Sequence, residues 1–172
     1  MKLADRCKSI ELVLSDVDGV LTDGGVMFNN QGIEIKRFHI RDGSGIKLWQ
    51  RSGGKFGLIT GRTSHIVEVR AAELGIEIVR QGAERKLATV RDVIYELKLK
   101  PEQVCYVGDD LPDLPVAKYV GLAVAVADAA PELRDTVHYV TKTPGGEGAI
   151  RETIEMILKN QKRWEDLIQN FE

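Results

Sequence analysis

The sequence predicts an α/β fold: a three-layer, doubly wound parallel sheet of Rossmann-like order with a projecting β-hairpin. Three observations carry this reading. Short apolar runs at 10–15, 55–59, 77–79, 103–107 and 121–124 alternate with segments of helical spacing, the pattern of strand–helix units feeding a parallel sheet. Apart from polar residues at or next to their ends, these runs are apolar, as strands covered on both faces must be. Polar residues of unusual chemistry then stand just past four of the sheet's elements, where open α/β sheets bind their ligands.

Each element follows in order. The first strand, 10–15, runs into Asp16-Val-Asp18-Gly19. Residues 25–40 read as two strands joined by Asn29-Asn30-Gln31-Gly32, a turn-forming run, and so as a hairpin leaving the sheet's edge or top. A helix is expected near 45–51, and the second core strand, 55–59, ends in Thr60-Gly61-Arg62. Ile66, Val67, Val69, Ala72 and Leu74 recur every three to four residues, and Gly75 closes that helix as a C-cap. After 77–79, Lys86 opens a helix carrying Leu87, Val90, Val93, Ile94 and Leu97. Strand 103–107 leads into Gly108-Asp109-Asp110-Leu-Pro-Asp113, and 121–124 follows. The C-terminal segment 144–172 begins with Gly145-Gly146-Glu147-Gly148, then a helix with Ile150, Ile154, Ile157 and Leu158 on one face. Residues beyond Asn160 extend that helix or form a tail.

Composition narrows the function classes. The 172 residues fit one domain, 1–172, and 43% apolar content supplies a core. Lys plus Arg number 24 against 26 Asp plus Glu, with no basic stripe, so no nucleic-acid partner is expected. No apolar run reaches the length of about 18 residues that a membrane span needs. Met1–Ser9 lacks a signal-peptide pattern. Cys7 and Cys105 stand far apart in sequence with no CxxC, which argues against a disulfide framework and for a cytoplasmic protein.

Taken singly, the strand-end groups have bland readings. Asp-x-Asp-Gly serves turns and helix caps, Thr-Gly is a turn, and clustered Asp suits a helix N-terminus. Lys86 is less bland, because a cation in a first helical turn opposes the helix dipole unless an anion compensates it. Together, five carboxylates (Asp16, Asp18, Asp109, Asp110 and Asp113) at one sheet edge repel one another unless a cation sits among them. Oxygen ligands select a hard ion, and Mg²⁺ is the usual one beside phosphate. A metal, a Lys and a Thr hydroxyl suit a phosphoryl group. The cluster reads as a phosphoryl-transfer site.

Asp16-Val-Asp18-Gly19-Val-Leu-Thr22, Thr60-Gly61-Arg62, Lys86 and Gly108-Asp109-Asp110-Leu-Pro-Asp113 resemble, in order and spacing, the four motifs of the haloacid dehalogenase phosphatase superfamily. The resemblance implies Asp16 as nucleophile and Asp18 as general acid, then general base. It implies Thr60 and Lys86 on phosphate oxygens, with Gly61 in the same loop. Asp16, the Asp18 carbonyl and Asp109 would bind Mg²⁺. Asp113 would support Lys86 or a metal-bound water, and Asp110 stands between a supporting role and solvent. A bacterial receiver domain is the rival with a similar acidic pocket. Its phosphorylated Asp follows the third strand, where this chain has Arg80-Gln81-Gly82.

Phosphatases of that superfamily usually carry a cap domain, and here neither inter-motif segment has room for one. Either the substrate or a neighbouring subunit must close the site, and the hairpin, apolar at Val26, Phe28, Ile33, Ile35 and Phe38, is the expected interface. Asp18–Gly24, Phe38-x-x-Arg41-Asp42-Gly43 and Gly145–Ala149 resemble the 3-deoxy-D-manno-octulosonate 8-phosphate phosphatases. That group implies Mg²⁺-dependent homotetramers acting on a sugar-acid phosphate for lipopolysaccharide. Arg62, which nine-carbon-specific relatives tend to replace with Glu, implies the eight-carbon acid. Arg70 and Arg41 are expected to assist substrate binding. The alternatives are a nine-carbon sialic-type phosphatase and a non-catalytic oligomerisation domain like those fused to cytidylyltransferases.

Overall fold

The first apolar run forms β1 (Leu12–Ser15), four residues with no exposed position. The hairpin follows as a separate two-stranded ribbon, β2 (Met27–Phe28) and β3 (Glu34–Ile35), and the chain then enters α2 (Ile40–Arg51). The ribbon is shorter than the expected 33–40 strand because pairing stops at Glu34–Ile35 and α2 starts at Ile40, five residues ahead of the expected helix. Its N-cap is His39, whose ring nitrogen accepts from Arg41 N. The structure, a computed structural model, describes residues 1–169, so the last three positions of the expected 144–172 segment lie outside the described residues.

The remaining strands are β4 (Lys55–Ile59), β5 (Ile78–Arg80), β6 (Val104–Gly108), β7 (Leu122–Ala125) and β8 (Tyr139–Val140). With β1 they form one parallel sheet in the order β5-β4-β1-β6-β7-β8, each strand paired with its neighbours in that order. β8 has no signal in the sequence: two half-buried residues carry no periodicity. Helices α3 (His65–Leu74), α4 (Lys86–Glu96), α5 (Leu114–Ala117) and α6 (Pro131–Arg134) connect the strands. α3 stops at Gly75 in the left-handed region, as expected of a C-cap.

The chain runs outward from β1 through β4 to β5, then returns to β6 on the other side. Right-handed crossovers place α2 and α3 on one face and α4 to α6 on the opposite face. α1 (Leu3–Lys8), absent from the sequence reading, packs on α7 (Ala149–Asn160), and α7 packs on α2. Ile150, Ile154, Ile157 and Leu158 are fully buried there, as their spacing requires. The chain beyond α7 neither extends the helix nor trails as a tail. It turns at Lys162, at positive φ, into α8 (Trp164–Gln169).

The order reverses at β1, with β4 and β6 as its two neighbours. The carboxyl ends of these three strands form the crevice where ligands of such sheets bind. Among the described residues, only the hairpin and α2 lie between β1 and β4, and only α3 between β4 and β5.

Candidate active site

Pairing persists one residue past β1, since Asp16 N donates to Val107 O at 3.0 Å. This holds the first acidic motif beside the fourth. Leu58 pairs with Ser15, so Thr60 lies at the same edge on the other side. Thr60 is 2% exposed, and its hydroxyl accepts from Arg62 N at 3.4 Å. Ala83 N donates to Thr60 O, which ties the segment before α4 to this strand end.

Lys86 is the hub. Its Nζ donates to Asp16 Oδ2 at 2.6 Å and to Asp113 Oδ1 at 2.7 Å, and all three residues are buried. The unfavourable first-turn cation is thus compensated by two carboxylates. Burial alone would lower the Lys86 ammonium, but Asp113 and Asp16 outweigh it and hold its pKa above the usual value. Burial pushes Asp16 upward against the pull of Lys86.

Asp113 has no capacity left for a metal. Oδ1 accepts from Lys86 and from the Tyr106 hydroxyl at 2.6 Å, while Oδ2 accepts from Asp109 N at 3.0 Å and Asp110 N at 3.3 Å. It is the pillar of the site, as the expected support of Lys86. Asp110 contributes its main-chain N–H to that pillar.

Asp16, Asp109 and Asp113 offer carboxylate oxygens within 4.8 Å of one another. Burial, then the charges of Asp16 and Asp113, push Asp109 up to about 8. A carboxylate strained in this way is one that a divalent cation would stabilise, and oxygen-only donors fit Mg²⁺. The residues present therefore fit a metal held by Asp16 and Asp109. Two glycines make room for the cluster: a β-carbon at Gly19 or Gly108 would come within 2.1 Å of Asp109 or 2.5 Å of Asp113.

Asp18 spends its side chain on two cations outside that cluster. Its Oδ1 accepts from Lys36 Nζ, and Arg62 Nε lies 3.9 Å from Oδ2. Glu34 bridges the two cations, at 2.8 Å from Arg62 and 3.2 Å from Lys36, and accepts from Ser64 Oγ at 2.5 Å. The Ser64 hydrogen bond is foremost in holding the Glu34 carboxyl below its usual range.

The sequence reading missed Glu34, Lys36, Ser64 and Tyr106. The hairpin's apolar residues drew attention as an interface, yet the signal lay in their alternation. Ile33 and Ile35 are exposed, so Glu34 and Lys36 face inward. The roof over Asp18 is accordingly not bare but covered by this chain's own hairpin.

Arg70, Phe38 and Arg41 stand apart from the carboxylate cluster. Arg70 is not brought to the carboxylates: it pairs with Glu73 at 2.7 Å and lies 5.7 Å over the Phe38 ring. Phe38 is half-buried beneath it and packs on the core instead of standing in the hairpin's exposed apolar set. Arg41 is exposed and faces a groove shared with Thr143, Glu147 and Arg151. A β-carbon at Gly145 would stand 1.8 Å from Gly19 O, and Gly146 N donates to Val20 O at 2.9 Å, so this segment lies directly on the first-motif loop.

A sequence profile of haloacid dehalogenase-like hydrolases matches residues 69–152. The 3-deoxy-D-manno-octulosonate 8-phosphate phosphatase of Yersinia pestis is 46% identical over 93% of this chain and 86% of that protein. The Moraxella catarrhalis phosphatase of the same name, solved with a magnesium ion, a phosphate ion and a KDO molecule, superposes at a TM-score of 0.96. It is 37% identical, over 98% of this chain and 97% of that one. A cobalt-bound form of the Haemophilus influenzae deoxy-D-mannose-octulosonate 8-phosphate phosphatase gives a TM-score of 0.92 at 39% identity, over 96% of this chain and 98% of that one. With the four motifs assembled around Lys86 and the likeness spanning nearly its full length, this chain belongs to the haloacid dehalogenase-like hydrolases and, within them, to the 3-deoxy-D-manno-octulosonate 8-phosphate phosphatase family.

Proposed function

We propose that this chain is a cytoplasmic, Mg²⁺-dependent homotetramer that hydrolyses 3-deoxy-D-manno-octulosonate 8-phosphate to the free sugar acid and phosphate, for lipopolysaccharide synthesis. The observation that carries the reading is the buried Lys86 bridge between Asp16 and Asp113, with Asp109 beside it. A scaffold domain has no use for two buried carboxylates on one ammonium with a third half-buried beside them, because such a cluster costs desolvation without a reaction to serve.

Asp16 attacks phosphorus, the bond from phosphorus to the sugar's O8 breaks, and Asp18 gives its proton to that oxygen. Water then attacks the aspartyl phosphate, Asp18 takes the water's proton, and phosphate leaves with Asp16 restored. Lys86 and Thr60, with the Gly61 turn, hold phosphate oxygens. Asp16, the Asp18 carbonyl and Asp109 would hold Mg²⁺, which supplies positive charge to the transferring phosphoryl group. Arg62, beside Asp18, faces the sugar end of the ester.

The exposed apolar residues Val26, Met27, Phe28, Ile33 and Ile35 support assembly through the hairpin. The test is a phosphate-release assay over sugar-acid phosphates. The eight-carbon ester should give the highest kcat/KM, and Arg62→Glu should lower it far more than for a small generic ester. A preference for a nine-carbon ester would displace the substrate assignment, and no Mg²⁺-dependent release from any ester would favour the scaffold reading.

A further inference from the structure

Two cations stand over Asp18, and both are already held by an anion outside the catalytic set. Glu34 takes Arg62 at 2.8 Å and Lys36 at 3.2 Å. The Lys36 side chain is 2% exposed and that of Glu34 16%, whereas Arg62 keeps 44% of its side chain open to solvent and to an incoming ligand. Ser64 occupies the N-cap of α3, where its hydroxyl would ordinarily accept from a first-turn N–H. Instead it donates to Glu34, and α3 has no side-chain cap. The helix start forgoes its usual bond and Glu34 is fixed in place. No residue of the phosphoryl chemistry needs Glu34 there: Lys86, Asp113 and Tyr106 form a closed set without it.

We infer that Glu34 is an internal stand-in for the substrate's carboxylate, a positioning residue that holds Arg62 and Lys36 in the free enzyme and releases them when the ester's own carboxylate arrives. The inference rests on the sugar-acid phosphate reading above. Such an ester carries two anionic ends. Its phosphoryl end belongs with Lys86 and Thr60, and its carboxylate then needs a second cationic place on the leaving-group side, beside Asp18. Arg62 and Lys36 are the cations there, since Arg70 is spent on Glu73 and Phe38. A guanidinium and an ammonium that already accommodate one carboxylate are shaped to accept another. A phosphomonoester lacking a carboxylate has nothing to offer in exchange and leaves the Glu34 group closed. Glu34 thus keeps Arg62 and Lys36 preorganised for a carboxylate, at a cost in affinity for the ligand that displaces it.

The test measures inhibition of p-nitrophenyl phosphate hydrolysis by the full, Mg²⁺-loaded enzyme, with free 3-deoxy-D-manno-octulosonate and inorganic phosphate as two separate inhibitors. In Glu34→Gln the inhibition constant of the sugar acid should fall about tenfold, the worth of one displaced charge-assisted hydrogen bond, while that of phosphate stays put. Ser64→Ala, which loosens Glu34 without removing its charge, should shift the sugar acid alone in the same direction by a smaller factor, and it decides the matter if Glu34→Gln does not fold. Weaker sugar-acid binding in these variants, or equal change for both inhibitors, would overturn the inference. Turnover of the eight-carbon ester by the unaltered enzyme tests the functional reading separately, so either can fail while the other stands.

Discussion

Gly19 and Asp109 touch through the one direction in which any other residue at 19 would carry a side chain: a β-carbon there would stand 2.1 Å from Asp109 Oδ2. Gly19 also sits at φ +88°, a conformation other residues rarely adopt. Gly19→Ala therefore meets two penalties, backbone strain of about 1–3 kcal/mol and displacement of a metal-facing carboxylate. The expected result is a lowered melting temperature together with a raised Mg²⁺ requirement. A variant that melts early but titrates with Mg²⁺ like the parent would separate the strain from the metal contact and count against Asp109 as a ligand.

The nucleophile and the general acid predict unequal losses. Asp16→Asn should abolish turnover and leave the fold intact, because no other buried carboxylate in the cluster is free to attack. Asp18→Asn should slow turnover by roughly 10²–10⁴, the usual share of an acid–base group. Single-turnover assays with circular dichroism as the folding check decide both. Parental turnover in Asp16→Asn would sink the nucleophile assignment.

Much of this was legible in the chain. Uniformly apolar runs placed five of the six sheet strands, and the position of Lys86 in a helix's first turn signalled the anions that compensate it. What stayed hidden depended on long-range contact. β8 is two residues long, and nothing local marks it. Arg70 lies two turns from Arg62 on the same helix, yet Glu73 and Phe38 claim it, and helical spacing cannot reveal a competing partner. Glu34 and Lys36 were overlooked because a ribbon with its apolar face outward inverts the usual pattern of apolar residues inside. Nothing local to Gly145 and Gly146 shows their cause, which is the backbone of Gly19 and Thr22 pressed against them.

Activity should need a divalent ion, with Mg²⁺ effective and Ca²⁺ poor or inhibitory. Ca²⁺ prefers longer bonds and more ligands, and Asp113, saturated by Lys86, Tyr106 and two main-chain N–H groups, cannot supply an extra one. Steady-state rates over a metal series after chelation provide the measurement. Full activity in excess chelator would refute the site as drawn.

The hairpin prediction concerns assembly. Phe28 and Ile33 are 58% and 56% exposed on a ribbon that packs its polar side over the site, so an apolar face is left to a second copy. Light scattering of the parent should give four times the chain mass of 19.1 kDa, and Phe28→Asp with Ile33→Asp should shift it toward one. A parent that scatters as a single chain at micromolar concentration would remove the assembly from the proposal.

The last prediction is one of stability and pH, at Glu152 in the first turn of α7. Its Oε1 accepts from Tyr139 Oη at 2.7 Å and Lys142 N at 2.8 Å, and its Oε2 accepts from Thr143 N at 3.0 Å and Thr143 Oγ1 at 2.7 Å. Burial would raise this carboxyl, but the hydrogen bonds from Lys142, Thr143 and Tyr139 outweigh it and hold it below its usual 4.5. A depressed carboxyl contributes stability that is fully present above the unfolded value and lost as pH falls through the folded one. In Glu152→Gln an amide NH₂ must face two donors, so the variant should lose about 1.5–3 kcal/mol near neutral pH. The gap to the parent should narrow below about pH 4.5, where the parent's carboxylate is itself being protonated. Denaturant melts of both proteins at neutral and acidic pH measure it, and a gap that is the same at both would rule out the carboxylate as its source. The effect reaches the active site because Glu152 anchors 142–143, just ahead of Gly145 and Gly146. Those glycines lie on the loop that carries Gly19, so loosening the anchor should also raise the Mg²⁺ requirement in the same direction as Gly19→Ala.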